Sequence, residues 1–259
     1  MNKNFLTIKS IFTWMAAFSL IFFLASCGGQ KSGEQESDTT DVVSEEPVME
    51  SEWISLFDGE TLDGWKRYNA DEIGPLWKVD DGAILVEGEG LGEGSGEWGG
   101  SLITVEQFGN FELELEWKIS PGGNSGILYH VVEAPEYGHA YETGPEYQVL
   151  DDQGWEGELT EAQKVGSNYD MYAAPADKNV KPALEWNTSR IIYNDGHVEH
   201  WLNGEKTVEF DEGSEEYQEK YQNSKWTEYP GWNQYKTGSI GLQDHGAPVW
   251  FRNIRIKKL

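Results

Sequence analysis

Two stretches of the chain carry side chains whose types and spacing suit chemistry. Residues 238–248 read GSIGLQDHGAP and place Gln243, Asp244 and His245 at a turn, with Arg252 a little further on. The imidazole changes charge near neutral pH, so His245 is a candidate proton acceptor, and the neighbouring amide and guanidinium are hydrogen-bond donors. Residues 144–152 read GPEYQVLDD. On a strand, Glu146 and Gln148 share one side while Tyr147, Val149 and Asp151 share the other. A carboxylate and an amide side by side among aromatic rings can each bridge hydroxyl groups, as a sugar-binding face requires; a plain surface strand is the alternative. The sequence holds no CxxC, HExxH, GxSxG or Walker loop, which removes the thiol–metal, zincin, serine-hydrolase and nucleotide readings. The glycine-rich run 88–100 lacks the Lys-Ser/Thr pair of a phosphate loop and reads as a mobile loop.

The elements that must position these residues are strands. Ile240 and Leu242 alternate with small residues. After the turn at 244–248, Val249 and Phe251 alternate again, and a slip near Arg252-Asn253 predicts a β-bulge that keeps Ile254 and Ile256 in phase. The end of the chain therefore reads as a hairpin. Phe111, Leu113, Leu115, Trp117 and Ile119 alternate with Glu112, Glu114, Glu116 and Lys118, a strand with a buried and a solvated face. A hairpin is predicted across Asp80-Asp81-Gly82, and two more across Asp195-Gly196 and Asn203-Gly204, the preferred tight-turn pairs. His130, at the end of a strand over 127–130, is either a groove residue or a strand-end histidine. His200 shares a face with Val198 and Leu202, which favours a core position. Tyr217 and Tyr221 suggest one short helix over 215–222. Trp226, Tyr229, Trp232 and Tyr235 crowd one loop, where they can stack on sugar rings or form a mini-core. Residues 153–181 are long and irregular enough to be a functional loop.

Composition bounds the partners. Thirty glycines and 13% aromatic residues favour a turn-rich β architecture, and a formal charge of −27 excludes nucleic acid and anionic membrane surfaces. Lys3 and Lys9 precede an apolar run over 11–24, and Leu24-Ala25-Ser26-Cys27 has the form of a bacterial lipobox. The expected organisation is a signal peptide over 1–26, an acidic disordered tether over 27–51 and one folded domain over 52–259. Cys27 is then the lipidated first residue, the cell envelope the location (periplasmic or outer-membrane face), and the lipid anchor the only membrane contact. A single cysteine excludes an intrachain disulfide.

The motifs SLFDGETLDGW (55–65), GPEYQVLDD (144–152), GSNYDMY (166–172), VEHWLNG (198–204), GSIGLQDHG (238–246) and VWFRNIRIKKL (249–259) resemble those of the 3-keto-disaccharide hydrolase domain family, common in Bacteroidetes. The resemblance brackets residues 52–259. It implies an all-β, concanavalin-A-like jelly-roll sandwich of two antiparallel sheets with at most one short helix. The implied activity is hydrolysis of 3-keto-glycosides: a ketone at C3 acidifies the C2 proton, a base removes it, the C1 substituent leaves, and water adds. On that basis His245, Glu146 and Asp151 are the catalytic candidates. Gln148, Gln243, Arg252, His130, Tyr147 and Trp232 are the substrate-binding candidates. The enolate oxygen is held by Arg252 and Gln243, or by a divalent metal on Asp151 or Glu146; no other cofactor is implied. A lectin-like glycan-binding surface protein, or a scaffold with no small ligand, is the alternative from the same fold.

Overall fold

A computed structural model describes residues 52–88 and 97–259. The signal segment, the tether with Cys27 and part of the glycine-rich run lie outside the described residues. The strands are β1 (Ile54–Ser55), β2 (Trp65–Arg67), β3 (Trp77–Asp80), β4 (Ala83–Val86), β5 (Leu102–Thr104), β6 (Phe111–Ile119) and β7 (Asn124–Val131). They continue as β8 (Glu146–Leu150), β9 (Asn187–Asn194), β10 (His197–Leu202) and β11 (Glu205–Asp211), then helix α1 (Glu215–Asn223), β12 (Ser239–Leu242) and β13 (Val249–Lys258). All pairings are antiparallel. One sheet runs β11-β10-β9-β6-β13-β4-β3 with β1 also on β13, and the other runs β2-β5-β12-β7-β8. Among the described residues, two sheets, one short α-helix and a shared core make the sandwich that the alternating strands imply.

The alternation of β6 is realised residue by residue. Phe111, Leu113, Leu115, Trp117 and Ile119 are at most 2% exposed, while the glutamates between them face out and pair with arginines on flanking strands. Arg190 meets Glu112 at 3.3 Å, Arg255 meets Glu114 at 2.6 Å and Arg252 meets Glu116 at 2.7 Å. Cross-strand ion pairs of this exposed kind contribute about 0.2–1 kcal/mol each, so the core, rather than this face, holds the sheet. The three predicted hairpins form. Each turns on a two-residue loop with positive φ at both positions, as at Asp195 (49°) and Gly196 (87°). His200 is fully buried between the rings of Tyr129 and Tyr147, and burial drives its imidazole down to about 3. Ser214 caps α1 by accepting from Tyr217 N at 3.1 Å.

The chain does not close as a hairpin. β12 lies in the five-stranded sheet, with Leu242 opposite Leu102 and Ile127, while β13 lies in the eight-stranded sheet, with Val249 opposite Val86 and Ile119. Residues 243–248 therefore cross from one sheet to the other. Ile240 and Leu242 enter the core from one side and Val249 and Phe251 from the other, so both strands alternate without being paired. Asp244 fixes the crossing: its carboxylate accepts from Gly246 N at 3.0 Å and from Gly100 N at 3.3 Å. The bulge in β13 falls where the pattern places it, between Arg252 and Arg255 with Asn253 at φ 52°, and keeps Ile254 and Ile256 in the core.

Candidate active site

The outer face of the five-stranded sheet is divided in two. Tyr68, Ile103, Leu128, Val131 and Ala140 form a small apolar cluster on one part of it. The other part is polar. Gly126 pairs with Gln148 across β7 and β8, and Gln243 N donates to Gly126 O at 2.9 Å, which sets Gln243, Gly126 and Gln148 in one row over three strands. Glu146 lies two residues along from Gln148 and so points to the same side. These residues, with Asn124 and His245, form the floor of a groove of about 260 Å³. Ligand pockets run ~300–1,000 Å³, so the enclosed part accommodates about one sugar unit.

Loops build the walls. The segment after Leu150 returns along β8 as an added partial strand, with Gln148 N donating to Ser167 O at 3.1 Å, Gly166 N to Gln148 O at 2.9 Å and Tyr169 N to Glu146 O at 3.0 Å. This covers an edge that would otherwise expose unpaired backbone groups and brings the Tyr169 ring over the groove. The Gln148 amide donates to Gln163 O at 3.0 Å, which ties its orientation to the same loop. From the other side come Trp226 and Tyr229. Trp226 Nε1 donates to Tyr169 O at 3.0 Å, and its ring lies 5.8 Å from that of Tyr229. Tyr141 meets Tyr229 edge-to-face at 5.6 Å, which closes an aromatic rim. Lys225 stands over the rings of Tyr169 and Trp226 at 4.4 and 4.5 Å and makes no ion pair among the described residues.

Burial sets the proton chemistry. Glu146 is 5% exposed, and loss of water drives its carboxyl up to about 8, against the opposing charge of Lys225 and the hydrogen bond from Gln243 Nε2 at 3.4 Å. His245 is half-buried. Loss of water lowers its imidazole below the ordinary histidine value, and the Lys225 charge lowers it further, against its own backbone and Asp244. At neutral pH the groove thus presents a protonated carboxyl and a neutral imidazole, a donor and an acceptor of protons on one surface. Buried oxygens add acceptors: Asn124 Oδ1 and Gln148 Oε1 receive no hydrogen bond among the described residues.

Gly126 makes room for Glu146. A Cβ at that position would sit 2.7 Å from Glu146 Cγ and collide with the carboxylate. Gly126→Ala is therefore expected to fold, since φ there is ordinary, yet to cut activity at least about tenfold by displacing the carboxyl, given that misplacement of about 1 Å can cost ~100-fold. Steady-state kinetics beside a thermal melt measure both.

The structure brings Glu146, Gln148, Gln243 and His245 together and sets the other five candidates elsewhere. Arg252 lies on the eight-stranded sheet and is used there, bound to Glu116 and 3.9 Å from the Trp186 ring centroid. The cross-over between β12 and β13 is what separates it from His245. Asp151 follows the end of β8, and its carboxylate accepts from Gly122 N at 2.8 Å, where it holds a turn instead of facing the groove. Tyr147 points into the core and donates to Trp201 O at 3.2 Å. His130 is also in the core, its Nε2 on Gly109 O at 2.9 Å and its ring edge-on to Tyr193 at 4.3 Å. Trp232 stacks behind Trp226 at 4.8 Å and is 1% exposed, so it supports the rim from behind. The residues that the sequence reading did not assign are Asn124, Tyr141, Tyr169 and Lys225. Tyr169 sits in one of the recognised motifs, which was its only signal; Lys225 lies beyond the helix predicted over 215–222, and nothing in its spacing marks it.

A two-sheet sandwich with a polar, aromatic-rimmed groove on one outer face, carrying a proton donor and acceptor, defines a carbohydrate-active class of site. Residues 52–257 match the 3-keto-alpha-glucoside-1,2-lyase-like domain family, and the chain belongs to it. A 3-keto-disaccharide hydrolase of Bacteroides thetaiotaomicron is 35% identical over 291 aligned positions, covering 97% of this chain and all of that protein. A crystal structure of a glycosyl-hydrolase candidate from Parabacteroides distasonis is 41% identical, covers 80% of this chain and 94% of its own, and superposes with a TM-score of 0.72. A second such structure from that organism is 28% identical, with a TM-score of 0.60 over 80% of this chain. The protein is accordingly a carbohydrate-active enzyme.

Proposed function

We propose that the protein cleaves the glycosidic bond of 3-keto-glycosides by elimination across C1–C2 followed by hydration. The observation that carries this reading is the pair in the groove: a buried carboxyl raised to about 8 beside an imidazole lowered from its usual value. Elimination needs such a pair. His245 takes the proton from C2, the C2–H electrons move toward the C3 carbonyl, and the enolate oxygen develops charge. Glu146 protonates the glycosidic oxygen as the C1–O bond breaks, which leaves a C1=C2 enone and a free alcohol. Water then adds to C1, giving a proton to the Glu146 carboxylate, and the imidazolium returns one to C2. The balance is one glycoside plus one water to a 3-keto-sugar plus an alcohol. An oxocarbenium route would instead use two ordinary carboxylates on the two sides of C1, and among the described residues that line the groove Glu146 alone is a carboxylate.

Lys225 takes the place that Arg252 was expected to fill. Among the described residues it is the cation lining the groove, and both Glu146 and His245 sense its charge, so it is positioned to hold the enolate oxygen. Its charge lowers both titrations. Lys225→Ala should therefore move both limbs of the pH–rate profile to higher pH and lower kcat, as read from kcat across pH 5–10.

A second reading of the enolate's partner is supported by the buried acceptors Gln148 Oε1 and Asn124 Oδ1. Together with Glu146 they make an oxygen-rich set suited to a hard divalent cation. Asp151 is no part of this set. Loss of activity in chelator, restored by added metal, favours the cation. Unchanged activity favours Lys225.

The lipobox at residues 24–27 and the acidic stretch that follows it support anchoring through Cys27 at the cell envelope. The test of function is direct: a 3-keto-disaccharide should release free 3-keto-sugar, while its unoxidised parent should not be cleaved. Binding of the oxidised sugar without turnover would assign the domain to the lectin-like alternative.

A further inference from the structure

A larger concavity, about 560 Å³, opens on the other side of the aromatic stack that backs the groove. Trp226 lines the groove; Trp232 and Tyr221 line this second space; the three rings stack in succession at 4.8 and 5.9 Å, within 9° of parallel. Glu212 lines it too and is only 9% exposed. Its carboxylate accepts from Tyr193 Oη at 3.0 Å, Asn233 Nδ2 at 2.6 Å and Lys236 Nζ at 2.7 Å. This is a built polar network with fixed donors and acceptors at its surface. Trp232 is 1% exposed, so only a small part of its ring borders the space, and the polar atoms around Glu212 are what a ligand meets there.

The lining selects a chemical class. Glu212 and Asp195 disfavour an anion, and the polar atoms around the space disfavour an apolar ligand. A neutral polyol, which both donates and accepts and offers C–H faces to rings, fits each part. We infer that this pocket is a second saccharide subsite, separate from the catalytic groove, in which sugar hydroxyls meet the polar network around Glu212 and a sugar face packs toward Tyr221. The choice of a sugar rests on the proposed function, whereas the pocket and its polar network do not. Because the two spaces share the Trp226–Trp232 wall, a glycan held here lies beside the reacting centre, and the subsite raises the local supply of substrate without touching the reacting atoms.

The test is the indole Nε1–H resonance of Trp232 in the 15N-labelled protein, identified as the one lost in Trp232→Phe. Kojibiose, an unoxidised α-1,2-linked glucose disaccharide, is the probe, since it lacks the ketone needed for turnover. The resonance should shift saturably in the wild type and equally in Glu146→Gln. In Gly213→Trp the shift should be lost while cleavage of a 3-keto-disaccharide at saturating substrate stays within about twofold, a difference too small to implicate the chemistry. Gly213 lines the pocket, and a Cβ there meets nothing within 4 Å, so the position admits a side chain at the pocket's edge. Gln218→Trp, on the exposed rim, serves if the first variant does not fold. No shift at excess sugar, or a shift that persists in the blocked variants, overturns the subsite. Failure of the cleavage assay alone leaves the shift in place and removes the proposed reaction instead.

Discussion

Glu146→Gln should lower kcat on a 3-keto-disaccharide by about two to four powers of ten, the range expected when a positioned general acid is lost. The amide keeps the shape and still fits above Gly126, so KM should change little. The pH profile makes the result specific. In the wild type activity should fall as pH rises through about 8, because Glu146 must carry its proton to protonate the leaving oxygen. In Glu146→Gln that limb should vanish. The same group has a stability signature of definite sign. Its folded-state value is raised above the ordinary 4.5, so its contribution is fully present below about 4.5 and is lost as pH rises toward about 8, where burial opposes ionisation. The melting temperature of the wild type should therefore drop between pH 5 and 9 relative to that of Glu146→Gln, which has nothing to ionise. A parallel pH dependence of the two proteins would mean that the carboxyl is hydrated and has no raised value.

His245→Ala should cost a comparable two to four powers of ten in kcat, through loss of the base, and should leave the fold intact. The residue lies on the crossing between the sheets, but Asp244 holds that crossing through Gly246 and Gly100, so the imidazole is dispensable to its geometry. The acid limb should disappear from what activity is left. In the wild type that limb should lie below the ordinary histidine value, because burial and Lys225 both favour the neutral ring. Wild-type-like turnover in His245→Ala would remove the histidine from the mechanism.

What the sequence discloses and what it hides follow from the range of the forces involved. Period-two alternation and Asp-Gly or Asn-Gly turns are local, so β6 and the hairpins at 195–196 and 203–204 are legible in the sequence. Alternation reports which way a side chain points and is silent on which sheet a strand joins. Ile240, Leu242, Val249 and Phe251 all point into one core, and an arch between sheets imitates a hairpin, which is why Arg252 was expected beside His245. Parity alone places Glu146 and Gln148 on one face and Tyr147 on the other, yet it fails at Asp151, where the strand has ended and the carboxylate turns to Gly122. The walls are less legible still. Tyr169 and Lys225 reach the groove by loop paths that no periodicity specifies, and the value of Glu146 depends on the cover those loops provide.

Solvent-deuterium labelling tests the central claim most directly. Cleavage of a 3-keto-disaccharide in D2O, with the released 3-keto-sugar read by NMR and mass spectrometry at early times, distinguishes elimination–hydration from direct displacement at C1. The same sugar incubated without enzyme corrects for spontaneous exchange. Elimination predicts that deuterium appears at C2 of each molecule released, because the proton abstracted by His245 exchanges and a solvent-derived one returns. Release of 3-keto-sugar with its original proton at C2 would contradict it.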